Sequence, residues 1–275
     1  MASPRLSTLS RSGFVFDVTD SGPAGGDPVV LLHGFPTDRT SWRHVEPLLH
    51  AAGLRTYAPD QRGYSTGARP SGRAAYRLEE LTADVVALID ATSHEKVHLV
   101  GHDWGGGIAW LVAGNHPERV ASLTVLSTPH PAAMRRALTS SDQGVRSWYM
   151  AAFQLPVLPE QVVARGFGRL LRGSGLPAGD VERYAARLAS PGALAGPIGW
   201  YRGLPLSQVS AHRVGVPTTY VWGSRDFALG RRAAELTREH VTGPYEFVEL
   251  AAGHWLPEKR PEECAAAIRA RVASV

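Results

Sequence analysis

Three residues, far apart in this chain, have types and settings that could do chemistry together. Gly101-His102-Asp103-Trp104-Gly105 sets an aspartate between two glycines. It follows Val97-His98-Leu99-Val100 and precedes Ile108-Ala109-Trp110-Leu111-Val112-Ala113, where apolar residues resume at helical spacing. Such a stretch predicts a strand, a sharp turn and a helix. Gly-x-Asp-x-Gly at that turn is the pattern of a nucleophile elbow, with an aspartate in the place a serine usually takes. The glycines let the backbone fold tightly and the helix approach the strand, so the apical side chain stands out above the sheet. Asp103 could instead cap the next helix, a common use of aspartate. Asp226 and His254 weigh against that. Asp226 follows the strand-like Pro217–Gly223, and His254, in Gly253-His254-Trp255, follows Tyr245–Leu250. Asp226 could cap a helix and His254 could be one of eleven ordinary histidines. Nucleophile, acid and histidine in that order, each beyond a strand, are together better explained as one catalytic set.

The elements that must position these residues are legible. Phe14 to Asp20 alternates like an antiparallel edge strand, and Ser21 to Asp27 reads as a Gly/Pro turn. Val29-Val30-Leu31-Leu32 is a continuous apolar run, as in a strand buried on both faces, and leads into His33-Gly34-Phe35-Pro36. Trp42 to Ala52 predicts a helix stopped by Gly53, Leu54 to Ala58 a strand, Leu78 to Ala91 an amphipathic helix and Val120 to Leu126 another strand. The alternation lapses after His130, resumes at Pro217 to Gly223, and ends with a helix around Gly230–His240, a strand at Tyr245–Leu250 and a helix from Pro261. Alternating strands and helices predict a mainly parallel sheet with helices on both faces. The expected organisation is therefore an α/β core of residues 1–129 and 214–275, interrupted by a helical lid at 130–213 above the strand ends, where ligands bind in such sheets. An oxyanion hole in this arrangement takes the backbone N–H after the nucleophile, Trp104, and one from the loop after an earlier strand, Phe35.

The chain has 275 residues, 44% of them hydrophobic and 20% charged, which suits a globular protein and excludes a disordered one. Its single cysteine, Cys264, rules out an intramolecular disulfide and a cysteine metal cluster. No apolar leader and no stretch near 18 apolar residues is present, so a cytoplasmic protein without membrane association is expected. The net charge of +4 is unevenly spread, since residues 130–213 hold ten Arg, no Lys and four acids. That basic segment could draw anionic substrates. Without aromatic-basic interleaving or a recognisable motif, nucleic-acid binding is not expected.

His33-Gly34-Phe35-Pro36, Gly101-His102-Asp103-Trp104-Gly105-Gly106, the Asp226 strand end and Gly253-His254-Trp255 resemble the α/β-hydrolase-fold epoxide hydrolases, from about Phe14 to the chain end. Two lid segments extend the resemblance: Ser147-Trp148-Tyr149 and Gly199-Trp200-Tyr201-Arg202. It implies that Tyr149 and Tyr201 hydrogen-bond the epoxide oxygen, although either could be an aromatic of the lid core. Tyr184 lacks such a context. The implied reaction is attack of Asp103 on a small-molecule epoxide to give an alkyl ester, then hydrolysis by water activated by His254 and oriented by Asp226. Phe35, Trp104, Trp148 and Trp200 would line the substrate site, with no metal or organic cofactor. A homodimer is left open. Haloalkane dehalogenases share the aspartate, and Trp148 or Trp200 could supply the second halide donor that Phe35 cannot. Fluoroacetate-type dehalogenases share His-Gly-Phe-Pro but place an arginine where Trp104 stands. A non-catalytic member binding a hydrophobic ligand under the lid would have no need of the set of Asp103, Asp226 and His254.

Overall fold

The computed structural model describes residues 5–190 and 192–275. Eight strands, β1 (Thr8–Arg11), β2 (Phe14–Ser21), β3 (Asp27–Leu32), β4 (Leu54–Pro59), β5 (Val97–His102), β6 (Val120–Leu126), β7 (Thr218–Gly223) and β8 (Tyr245–Leu250), form one sheet. Their order is β1-β2-β4-β3-β5-β6-β7-β8, and all are parallel from β4 onward in that order. Every residue of β4 and of β7 is buried, and central β3 carries the continuous apolar run Val29–Leu32, all of it buried, as packing on both faces requires. Helices cover both faces. Leu81, Val85, Leu88 and Ile89 of the helix Leu78–Ala91 pack on one, with the wholly apolar helix Trp104–Asn115. Cys264, Ala265 and Ile268 of Pro261–Val272 pack on the other with Trp42 and Leu49.

Sequence reasoning and structure part in three places. β1 has a single apolar residue, Leu9, and gains its strand character only by pairing with β2, so Phe14–Ser21 is not the edge. The turn predicted to reach Asp27 ends sooner, because β3 begins at that residue. The helix predicted over Trp42–Ala52 is two short pieces, Arg39–Trp42 and Glu46–His50, since Pro47 cannot continue a preceding helical hydrogen-bond ladder but suits a first turn.

Between β6 and β7 the described residues form helices, chiefly Pro131–Ser140, Trp148–Ala152, Leu158–Gly173, Ala178–Leu188 and Ala195–Gly203. Arg187 of Ala178–Leu188 pairs with the buried core carboxylates Asp38 and Asp60, and Arg43 of the core reaches Asp180 at 2.6 Å. The helix Ala195–Gly203 sits on the core through glycines. A Cβ on Gly196 would lie 2.4 Å from the Gly63 backbone, and one on Gly203 would lie 2.2 Å from the Tyr76 carbonyl. The Trp200 indole N–H donates to the Arg62 carbonyl at 2.7 Å beside this contact.

Candidate active site

The loops after β3, β5, β7 and β8 converge at the carboxyl ends of the strands, where β3 lies between β4 and β5. This is the crevice that open parallel sheets offer to ligands. Asp103 follows β5 with φ 51° and ψ −123°, a left-handed backbone that a residue with a Cβ adopts only under constraint. Gly105 makes the turn feasible, because a Cβ there would meet the Leu32 carbonyl at 2.3 Å. Asp103 stands at the N-cap position of Trp104–Asn115 but makes no side-chain capping bond. Its Oδ1 instead accepts the Phe35 N–H at 2.6 Å, and the Trp104 N–H also acts on the carboxyl. The capping alternative is therefore set aside. Burial pushes the Asp103 carboxyl up, opposed by His254 and by these two N–H groups.

His254 Nδ1 lies 2.8 Å from Asp226 Oδ2, and His254 Nε2 lies 3.6 Å from Asp103 Oδ2. Asp226 turns the chain and does not cap a helix, since Oδ1 accepts from Ala228 and Leu229 N–H at 2.8 and 3.0 Å while the next helix, Arg231–Leu236, has Gly230 at its N-cap. Its second oxygen is what remains for the imidazole. Burial disfavours charge on His254, but Asp226 and then Asp103 outweigh it and bring its pKa to about 9.

Tyr201 is 3% exposed and packs edge-on against Trp104 and Phe35, at centroid distances of 5.0 and 5.4 Å. Tyr149 is 5.9 Å from it. Burial and then neighbouring negative charge (Asp103 acts on both) hold both phenols above their ordinary range. At neutral pH each is a proton donor.

The other two expected lining residues are placed elsewhere. Trp148 is 69% exposed, because its five-residue helix turns that side outward while Tyr149 turns inward. Trp200 is 2% exposed and commits its N–H to Arg62, so it backs Trp104, at 5.7 Å, instead of lining the site.

Three further groups escaped sequence reasoning. His102 Nε2 and Ser127 Oγ both donate to the His254 carbonyl, at 2.9 and 3.0 Å, fixing the loop that carries the imidazole. Burial lowers the His102 pKa to about 3 and keeps it neutral. Glu258, one turn past His254, accepts the Tyr184 hydroxyl at 3.0 Å, and its second oxygen is buried without a partner among the described residues. Burial, with the charge of Asp180 adding to it, brings this carboxyl up to about 7. His102 adjoins the elbow motif and could have been flagged, whereas Glu258 and Tyr184 meet across 74 residues and left no sequence signal.

A family model described as the alpha/beta hydrolase fold matches residues 27–261. Epoxide hydrolase A of Mycobacterium tuberculosis is 31% identical, over 98% of this chain and 97% of its own. The AB hydrolase superfamily protein YfhM of Bacillus subtilis is 34% identical over 92% of each. The crystal structure of epoxide hydrolase A from Mycobacterium thermoresistibile superposes with a TM-score of 0.83 at 29% identity, covering 97% of both chains. The chain belongs to the epoxide hydrolase family of the α/β-hydrolase fold.

Proposed function

We propose that this protein hydrolyses small-molecule epoxides to vicinal diols through a covalent ester on Asp103. The observation that carries the reading is the Asp103 carboxylate, one oxygen held by the Phe35 N–H and the other turned toward His254, with Tyr149 and Tyr201 nearby. A carboxylate is anionic at neutral pH and attacks carbon without a base. Oδ2 forms the C–O bond as the ring C–O bond breaks, and a tyrosine proton moves to the departing alkoxide. Esterification removes the charge of Asp103, one of the carboxylates that hold His254 protonated. Its pKa falls, the proton passes to the tyrosinate, and neutral His254 becomes a base at the step that needs one. Water then yields one proton to Nε2 while its oxygen attacks the ester carbonyl. The resulting oxyanion lies at Oδ1 between the Phe35 and Trp104 N–H groups. Collapse restores the carboxylate, and the remaining water proton goes to the leaving alkoxide to complete the diol.

Residues 130–213 act as a lid in this reading, residues 1–129 and 214–275 as the catalytic core. The outward position of Trp148 and the committed N–H of Trp200 leave Trp104 without a second halide donor, which favours epoxides over haloalkanes. The test is His254→Gln with an excess of a simple aryl epoxide. The expected result is an intact mass increased by that of the epoxide, mapped to the peptide containing Asp103. Diol formation with no mass increase, and no water-derived heavy oxygen in Asp103 after one wild-type turnover, would refute the scheme.

A further inference from the structure

Five of the ten arginines in residues 130–213 have carboxylate partners. Arg136 pairs with Glu239, Arg146 with Asp142, Arg183 with Asp180, Arg187 with Asp38 and Asp60, and Arg202 with Glu160. Arg165, Arg169 and Arg172 have no acidic partner among the described residues, and all three lie on the helix Leu158–Gly173. Its one acid, Glu160, is committed to Arg202. The excess charge of the segment is thus concentrated on one helix.

That helix forms one side of a cleft of about 700 Å³, with Arg169 and Leu170 facing Arg225 and Phe227 across it. Gly166 and Gly173 also line it, and at both a Cβ would meet nothing within 4 Å, so the wall is open where side chains are lacking. Among the described residues no acidic side chain lines the cleft. Arg225 directly precedes Asp226. One of its N–H groups donates to the Ala251 carbonyl, and it has no acidic partner among the described residues. Phe227 lines the cleft, is 50% exposed, and has its ring centroid 5.3 Å from that of His254. The cleft therefore sets two guanidinium groups beside apolar Leu170 and Phe227, and Phe227 in turn packs against the buried His254 imidazole.

We infer that this cleft is a carboxylate-binding entrance, in which Arg169 and Arg225 select epoxides carrying a carboxylate at the end of an apolar spacer. The inference rests on the epoxide-hydrolysing reading and names the substrate class of that site. Guanidinium groups suit the planar carboxylate and pair with it through two N–H donors. Both arginines are exposed, so each contact contributes modestly, and together they are expected to favour the acid about three- to ten-fold. The preference is electrostatic and weakens at high salt.

The probe is an aryl glycidyl ether with a para carboxylate, compared with its methyl ester. In the wild type at low ionic strength, kcat/KM for the acid is expected to exceed that for the ester three- to ten-fold, carried by KM. That ratio should fall to about one in Arg169→Gln/Arg225→Gln and in the wild type at 0.5 M salt. Arg135→Gln removes the same kind of charge from an exposed position outside the cleft and should keep the ratio. Turnover of the ester with no wild-type preference for the acid, or a preference surviving the double substitution, overturns the inference alone. A wild-type protein that turns over neither compound nor any neutral epoxide overturns the reading on which it rests.

Discussion

Replacing Glu258 with glutamine should stabilise the protein, by an amount that grows as pH rises from 4.5 to about 7. Its carboxyl is buried and brought from 4.5 to about 7, with one oxygen on the Tyr184 hydroxyl and the other without a partner among the described residues. Glutamine matches the protonated acid in shape, and its amide oxygen can still accept from Tyr184. The sign follows from proton counting. Between pH 4.5 and about 7 the folded protein holds a proton that the unfolded chain has lost, so the wild type loses stability as pH rises through that window. The difference between 4.5 and about 7 corresponds to about 3 kcal/mol at roughly 1.4 kcal/mol per pH unit. Glu258→Gln should therefore exceed the wild type by less than about 1 kcal/mol at pH 5 and by about 3 kcal/mol at pH 8. For a chain of this size that is roughly 6 °C in Tm. Urea unfolding of both proteins at pH 5, 6, 7 and 8 gives the difference directly. An offset constant across the series would refute the reasoning, because a packing or hydrogen-bond effect does not titrate.

Two other substitutions probe the site itself. Tyr149→Phe and Tyr201→Phe should each slow ring opening by about a hundred-fold in single-turnover rapid quench, the lower end of what a positioned proton donor contributes, since the other tyrosine remains. Full rates in both variants would remove the tyrosines from the mechanism. A Cβ added at Gly34 would lie 2.3 Å from Asp103 Cβ and 2.5 Å from Oδ1, so the Asp103 side chain would have to shift. Gly34→Ala should thus lower kcat by more than about a hundred-fold, as expected for a displaced reacting group, while Tm changes by only a few degrees. Wild-type kcat in this variant would show that the carboxylate is not held where its N–H contacts imply.

Much of the architecture was legible because burial on both faces writes parallel strands as uninterrupted apolar runs, and turns mark their ends. Asp103, Asp226 and His254 could be found because each follows shortly after a strand that its own residues make legible. β1 was invisible, since Thr8–Arg11 is a strand by virtue of its partner and not of its own pattern. Trp148 and Trp200 show the limit on side chains. Adjacent positions on a helix point about 100° apart, so a motif locates a tyrosine without saying whether the neighbouring tryptophan faces ligand, core or water. The Tyr184–Glu258 contact is purely tertiary and has no periodicity to betray it.

The glycine seat under Ala195–Gly203 makes the two tyrosines unequal. Tyr201 rides on a helix pressed backbone to backbone against Gly63 and the Tyr76 carbonyl, with no side chain between to be exchanged for a larger or smaller one. Tyr149 rides on a five-residue helix with no buried residue. The site thus works like a bench vice with one fixed jaw and one adjustable jaw. Sequence drift and laboratory evolution can reshape the substrate space by changing the surroundings of Tyr149. Changes to the glycine seat would instead move Tyr201 itself.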